Sequence, residues 1–102
     1  MAEVIVSKGA DADLERLVIF LGEMEPAGAL TTYDLVLGAL EVLRTYPTIG
    51  RPVDGVLREL VISRGSTGYL ALYEYDTQAD RVAVLALRHQ REAGYLERGA
   101  TV

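Results

Sequence analysis

The chain has 102 residues, a net charge of −5 and no cysteine. This length suits one domain with a single hydrophobic core, and the balance of apolar and charged residues is that of an ordinary globular protein. Without cysteine, the chain has no disulfide framework, no thiolate nucleophile and no Cys-ligated metal site. Because the chain also has only one histidine, we predict no metal and no cofactor.

Targeting and membrane signals are missing from the sequence. Residues 1–8 have neither a basic start nor a long apolar run, so we predict no signal peptide. No apolar run approaches the ~18 residues that a membrane span requires. We therefore predict a cytoplasmic protein that does not contact the membrane.

The charge is spread unevenly along the chain. Residues 1–43 contain eight acidic and two basic residues, whereas residues 44–102 contain seven acidic residues and eight arginines. The uniform basicity that marks non-specific nucleic-acid binding is missing, so we predict no direct binding to nucleic acid. The choice of arginine over lysine favours planar, bidentate contacts with carboxylates or phosphates.

The first half of the sequence predicts a short strand followed by two helices. Residues 3–7 are β-rich, and Asp11 or Asp13 is a candidate cap for the helix that follows. A break over residues 22–26 separates this helix from a second one, which we predict from about residue 27 to residue 46, before a proline. Apolar residues of the first helix recur at spacings of three and four: Leu14, Leu17, Val18 and Leu21.

The second predicted helix carries two apolar stripes, centred roughly 130° apart at about 100° per residue. The first stripe consists of Tyr33, Val36, Leu37, Leu40 and Leu43. The second stripe consists of Leu35, Ala39, Val42 and Tyr46. One stripe should face a sheet, and the other either packs inside the monomer or contacts a partner.

Three β-like runs follow, over residues 56–63, 69–75 and 81–89, each bounded by turn-forming residues. Their short connections predict an antiparallel meander. Residues 90–98 predict a short C-terminal helix, and we expect this tail to lie outside the core. The whole chain, residues 1–102, is thus predicted to be one α+β domain of order β-α-α-β-β-β. Its two-helix hairpin packs on a mostly antiparallel four-stranded sheet.

His89 ends the last predicted strand, between Arg88 and Arg91 and six residues before Tyr95. An imidazole, a phenol and guanidinium groups together form a workable set for acid–base chemistry and anion binding. A lone histidine at a strand end also commonly packs or hydrogen-bonds at the sheet edge, and spacing alone favours that interpretation.

Several blocks of this sequence have counterparts in one family of bacterial proteins. The blocks are Ala10 with residues 13–16, then residues 46–52, 57–60, 69–73 and 84–89. Over nearly the whole chain they resemble the RelE/ParE superfamily of toxins. The block Pro47-Thr48-Ile49-Gly50-Arg51-Pro52 and the run Arg88-His89-Gln90-Arg91 are typical of its ParE-like, or plasmid-stabilisation, branch.

The resemblance implies the toxin component of a type II toxin–antitoxin system, which inhibits growth until a small antitoxin, ParD-like or similar, neutralises it. Part of the antitoxin contact is expected on the second stripe of the second helix, and that contact would leave an apolar patch on the free toxin. The implied antitoxin-binding residues are Leu35, Ala39, Val42 and Tyr46.

Two targets compete within this resemblance. RelE-like members cleave messenger RNA on the ribosome, and they carry two lysines before the hairpin turn, two arginines on or after later strands, and a final tyrosine. Here the lysine positions fall near Val61 and Ser63, the arginine positions fall on Leu70 and His89, and only Tyr95 matches. Such sites rely on cations to stabilise the charged transition state. The resemblance therefore favours the ParE-like branch, which inhibits DNA gyrase by binding and is not an enzyme.

We assign target binding to four residues at the end of the last strand: Arg88, His89, Arg91 and Tyr95. No catalytic residue is assigned. In the alternative, a ribosome-dependent messenger endonuclease, the site would combine His89 and Tyr95 with Arg58 and Arg64. A third alternative is an interaction domain without toxicity.

Overall fold

The computed structural model describes residues 1–24, 26–64 and 67–95. The elements in chain order are β1 (Glu3–Val6), α1 (Lys8–Met24), α2 (Pro26–Thr45), β2 (Arg51–Asp54), β3 (Leu57–Arg64), β4 (Thr67–Asp76) and β5 (Arg81–His89). The strands form one sheet in the order β1-β5-β4-β3-β2. Strand β1 runs parallel to β5, and every other neighbouring pair is antiparallel. The predicted α+β fold, a helical hairpin on a mostly antiparallel sheet, is confirmed.

The sheet has five strands rather than the predicted four, because residues 51–54 pair with the start of β3. Arg51 lies opposite Glu59, and Pro52 lies opposite Arg58. The sequence of residues 48–52, with Gly50 and Pro52, predicts a turn-rich link. A proline is nevertheless compatible with an edge strand, because its missing N–H faces away from the sheet.

The predicted C-terminal helix is wrong for residues 90–95, which form turns and an irregular segment. The backbone N–H of Gln90 donates to the Gly68 carbonyl at 2.9 Å, so strand pairing continues to the residue where the helix was expected to begin. The Arg88 guanidinium donates a hydrogen bond to the Glu92 carbonyl at 2.7 Å. A helix would have used this carbonyl as an acceptor for its own backbone. The rest of the predicted helix, residues 96–98, lies outside the described residues.

Helix α1 is capped by Ser7 and not by Asp11 or Asp13. The Ser7 Oγ accepts a hydrogen bond from the backbone N–H of Ala10 at 3.1 Å, which is the geometry of an N-cap. The Ser7 hydroxyl also donates to the Leu85 carbonyl on β5 at 3.2 Å. One side chain therefore begins the helix and ties its first turn to the sheet.

Asp13 is fully buried between α1 and β5. Its Oδ2 accepts a hydrogen bond from the backbone N–H of Leu87 at 2.9 Å. Strand β1 pairs with β5 only as far as Val84, so the backbone of β5 beyond that point needs another acceptor on this side. Asp13 supplies it, which explains a carboxylate on the apolar face of an amphipathic helix.

One face of the sheet and the facing sides of both helices form the core. In α2 the first stripe faces inward, since Val36, Leu40 and Leu43 are buried. The other large core side chains are Leu14, Leu17, Ile62, Tyr69, Tyr73, Val82, Val84 and Leu87. In the described part of the chain, no helix is long and apolar enough to cross a membrane.

The loop before β2 is fixed to the sheet through Gly50. The Gly50 N–H donates to the Tyr73 hydroxyl at 2.8 Å, and a Cβ at this position would lie 2.6 Å from the Tyr73 ring. Arg58 donates to the carbonyls of Gly50 and Thr48, at 2.8 and 3.1 Å. Burial raises the pKa of Tyr73. These contacts hold the loop against the sheet and leave Arg58 engaged.

We expect Asp13→Ala to lower the free energy of unfolding by about 2 kcal/mol or more, because it leaves the Leu87 N–H unpaired in the core. Urea denaturation followed by circular dichroism measures the change. The control Glu15→Ala, at an exposed position on the same helix, should change stability by less than about 0.5 kcal/mol. Equal midpoints for the two variants would contradict this role for Asp13.

Candidate functional site

The sheet face opposite the helices carries a buried carboxylate. Glu59 on β3 is only 5% exposed. The strand register pairs it with Leu72 on β4, and Leu72 with Ala86 on β5. Side chains of paired residues share a face, whereas Ile62 and Tyr69 form the row on the helix side. Glu59 therefore needs polar partners on a face that the helices do not cover.

Those partners come from β2, at one edge of the sheet, and from the segment that follows β5. The Tyr95 hydroxyl donates to Glu59 Oε2 at 2.7 Å. Arg51 on β2 donates to Glu59 Oε1 from Nε, at 3.0 Å, and from Nη2. The Arg88 guanidinium carbon lies 5.2 Å from the centre of the Tyr95 ring, which is a cation–π arrangement. These four residues, Arg51, Glu59, Arg88 and Tyr95, are the Glu59 cluster.

Protonation within the cluster follows from these contacts. Burial alone would raise the pKa of Glu59, but the hydrogen bonds from Tyr95 and Arg51 and the charges of Arg51 and Arg88 leave it below its usual value. Burial, together with the hydrogen bond to Glu59 and the charge of that carboxylate, raises the pKa of Tyr95. At neutral pH Glu59 is thus an ionised acceptor, and Tyr95 is a neutral donor unable to serve as a base.

A groove of about 670 Å³ lies on the other side of the sheet, between α1 and the end of β5. We call it the α1–β5 groove. Its lining residues are Arg16, Leu17, Phe20, Tyr69, His89, Arg91 and Glu92.

His89 lies in this groove in a fixed orientation. Its ring meets the Tyr69 ring edge-on, with centroids 5.3 Å apart and planes at 84°. Its Nδ1 accepts a hydrogen bond from the backbone N–H of Arg91 at 3.0 Å. That contact requires a lone pair on Nδ1, so the neutral ring carries its proton on Nε2.

Glu92 connects the groove to the Glu59 cluster. Its carboxylate accepts hydrogen bonds from Arg16 of α1 and from the backbone N–H of His89, both at 2.9 Å. Its carbonyl accepts from Arg88 at 2.7 Å, and Arg88 in turn contacts the Tyr95 ring. One residue therefore fixes the segment after β5 to both sides of the sheet.

A family model described as "ParE toxin of type II toxin-antitoxin system, parDE" matches residues 4–94. This span holds nearly all of the described fold, the lining of the α1–β5 groove and every residue of the Glu59 cluster except Tyr95. The chain belongs to the ParE toxin family. The predicted membership of the RelE/ParE superfamily is confirmed.

Similar proteins carry the names of RelE toxins. Toxin RelE3 of Caulobacter vibrioides is 32% identical over 92 residues, which cover 90% of this chain and 98% of that protein. Toxin RelE1 of the same bacterium is 36% identical over 70 residues, which cover 69% of this chain and 75% of that protein.

Among solved structures, the RelBE2 toxin–antitoxin complex of Mycobacterium tuberculosis contains a chain with the same fold. The TM-score is 0.58 and the identity 22%, over 87% of this chain and 98% of that one. At this identity the likeness concerns the fold alone.

The structure of this ParE-family chain divides the predicted target-binding set between two faces. Arg88 and Tyr95 lie in the Glu59 cluster, whereas His89 and Arg91 line the α1–β5 groove. The reason is that successive residues of a strand point to opposite faces. The four side chains do not form one site.

The residues of the alternative ribonuclease set are not brought together either. His89 and Tyr95 lie on opposite sides of the sheet. Arg58 holds the loop before β2, and the side chain of Arg64 lies outside the described part of the structure. Two of the positions where a basic residue was sought, Val61 and Leu70, form a cross-strand apolar pair. The side chain of Ser63, another of these positions, is also outside the described part.

The predicted antitoxin-binding stripe of α2 is only partly free. Leu35 and Ala39 are half-buried and pack against the core. Val42 and Tyr46 are 42% and 61% exposed. Only the C-terminal end of the stripe is therefore a surface patch.

Sequence reasoning missed several residues of both sites: Arg16, Phe20, Arg51, Glu59 and Glu92. Glu59 had one detectable signal, since it interrupts the apolar residues on one face of a strand and lies eight residues after an arginine across a turn. The roles of Arg16 and Glu92 had no local signal, because they depend on a contact between residues 76 positions apart.

We expect Tyr95→Phe to lower the free energy of unfolding by about 1–3 kcal/mol, because it removes a hydrogen bond to a buried, ionised carboxylate. The matched control is Tyr46→Phe, which removes the hydroxyl of an exposed tyrosine and should change stability by less than about 0.5 kcal/mol. Denaturation with urea at pH 7 compares the two. A Tyr95 variant as stable as wild type would exclude a structural role for this hydrogen bond.

The lowered pKa of Glu59 predicts a pH-dependent contribution to stability. Its pKa is lower in the folded than in the unfolded chain, so the contribution is present above the unfolded value, about 4.3. It is lost as the pH falls through the folded value. The stability difference between wild type and Glu59→Gln should therefore be largest near pH 7 and shrink in acid. The control Glu15→Gln, at an exposed position, should show a small difference with little dependence on pH.

Proposed function

We propose that this ParE-family chain is the toxin of a type II toxin–antitoxin pair and that it arrests growth by binding DNA gyrase in the cytoplasm. The supporting observation is the state of the sheet face opposite the helices. Its cations and its tyrosine are engaged with one another and with Glu59 and Glu92. This arrangement fits a protein that acts by binding and not by cleaving RNA.

The argument against cleavage rests on what that chemistry needs. A ribonuclease requires a group that takes a proton and cations that stabilise a charged transition state. The Tyr95 hydroxyl donates a hydrogen bond to Glu59, and the pKa of Tyr95 is raised. Arg51 is bound to Glu59, and Arg88 is bound to the Glu92 carbonyl. Activity on RNA would first have to release these groups.

One observation favours a second candidate. The two Caulobacter relatives are named RelE toxins, which supports the alternative of a ribosome-dependent messenger endonuclease. In that case Arg88 and Tyr95 would be the groups nearest to a bound RNA on the sheet face, and they would have to rearrange on the ribosome. A single experiment on DNA breakage and protein synthesis separates the two functions.

The deciding experiment induces the gene in bacteria and follows DNA breakage and protein synthesis in one culture. Gyrase binding predicts a DNA-damage response while translation is still intact, and purified protein should inhibit gyrase supercoiling. Rapid loss of translation with messenger cleavage would establish the endonuclease instead. Normal growth at full expression would overturn both and leave an interaction domain without toxicity.

We also propose a cognate antitoxin that covers the exposed end of the second α2 stripe. The related RelBE2 structure is a toxin–antitoxin complex, and an exposed apolar pair such as Val42 and Tyr46 is a surface that a partner would bury. Leu35 and Ala39 are poor test sites because they also pack against the core.

We expect Val42→Glu to weaken antitoxin binding at least tenfold, because it places a charge in an apolar interface. Isothermal titration calorimetry with the antitoxin encoded beside the gene measures the affinity. Thr31→Glu, an exposed position at the other end of α2, is the control and should bind like wild type. Unchanged affinity for Val42→Glu would place the antitoxin on another surface.

A further inference from the structure

The α1–β5 groove combines a rigid aromatic wall with an apolar side chain that lies largely in solvent. Tyr69 is held by Thr32, with 3.3 Å between the two hydroxyl oxygens, and His89 is held against Tyr69. Opposite them, Phe20 of α1 is 61% exposed, and Leu17 beside it is buried. Groups that are already ordered lose little entropy when a partner binds.

The charge at the rim of the groove is positive, although the chain as a whole carries −5. Arg16 is neutralised by Glu92, at 2.9 Å. The Arg91 side chain is exposed, and its guanidinium has no ion pair or hydrogen bond with any residue that the structure describes. Arg91 is thus a free cation beside an apolar surface, which suits a carboxylate next to an apolar group.

We propose that the α1–β5 groove is the surface through which this toxin binds its target, and that it takes a protein segment presenting an apolar side chain beside a carboxylate. The apolar group packs on Phe20 and on His89, which the buried Tyr69 supports from the core, and the carboxylate pairs with Arg91. This inference rests on the proposed function, in which the toxin acts by binding. It moves the recognition surface from the sheet face to the helix side.

Charge favours a protein over a nucleic acid as the occupant. Phosphate backbones are bound by several unpaired cations that displace counterions, whereas this groove offers one free arginine and carries Glu92 in its wall. A short interface with one apolar anchor and one ion pair is an arrangement common in protein complexes.

The groove and the proposed antitoxin patch lie at opposite ends of the helical hairpin. The groove contacts the C-terminal half of α1, through Arg16 and Phe20. Val42 and Tyr46 lie at the opposite end of the helical hairpin, where the carbonyl of Arg44 accepts a hydrogen bond from the N–H of Ala2.

The test compares Phe20→Ala and Arg91→Glu with two controls on α1. Ile19→Ala removes an apolar side chain that is 54% exposed but does not line the groove, and Lys8→Glu reverses an exposed cation. We expect each groove variant to lose at least tenfold in growth inhibition and in affinity for purified gyrase. The controls should stay within twofold of wild type, and Arg91→Lys should retain more activity than Arg91→Glu. Melting curves verify that all variants fold.

Growth inhibition does not depend on which target is correct, so the two proposals fail separately. Wild type that stops growth without binding gyrase overturns the gyrase assignment alone, and the growth data on the variants then decide the groove. Folded groove variants with full toxicity overturn the groove. So do variants that stay toxic but escape the antitoxin. Wild type without any effect on growth overturns both proposals.

Discussion

One residue, Glu92, links the two faces of the sheet, because its carboxylate and its carbonyl accept hydrogen bonds from residues on both faces. Strand β5 ends with two residues that point in opposite directions, Arg88 and His89, and residues 90–95, the last that the structure describes, form no further strand. Glu92 binds the N–H of His89 and the guanidinium of Arg88, and it reaches α1 through Arg16. These bonds set the path of the segment that places Tyr95 over Glu59, and the contact of Arg88 with the Tyr95 ring completes that placement.

Glu92 shares its role with Asp13 and Glu59, which are also acidic side chains, buried or half-buried, that accept hydrogen bonds inside the fold. Asp13 completes the hydrogen bonds of β5 where β1 ends, and Glu59 joins β2 to the segment after β5. Each carboxylate meets donors from an element distant in sequence, and a charged acceptor forms a stronger hydrogen bond than a neutral one. Part of the acidic character of the chain is therefore structural, and the net charge is a weak guide to what its surface attracts.

The helical hairpin and the meander could be predicted because their signals are local: the spacing of Leu14 and Leu17, or the runs of β-branched residues bounded by turns. Strand β2 could not be predicted, because Gly50 and Pro52 are typical of a turn and only the pairing of Arg51 with Glu59 makes the segment a strand. The predicted C-terminal helix is wrong over residues 90–95 for a similar reason. The Arg88 guanidinium on β5 donates a hydrogen bond to the Glu92 carbonyl, which a helix would need as an acceptor. His89 and Tyr95 lay within a plausible spacing, but the alternation of a strand and the path of the tail place them on opposite sides.

The division between the faces also changes how the end of β5 should be interpreted. Arg88, the most conspicuous cation by position, lies on the Tyr95 ring and binds a carbonyl, so its loss would disturb the tail before it affected any partner. Arg91, three residues later, has an exposed side chain, and toward the residues that the structure describes only its backbone is committed, to His89. A cation with its side chain free is available to a partner at no cost in internal contacts, whereas one that is stacked and hydrogen-bonded must first give those contacts up. This difference supports the proposed recognition surface on the side of Arg91, with the sheet face holding the segment after β5.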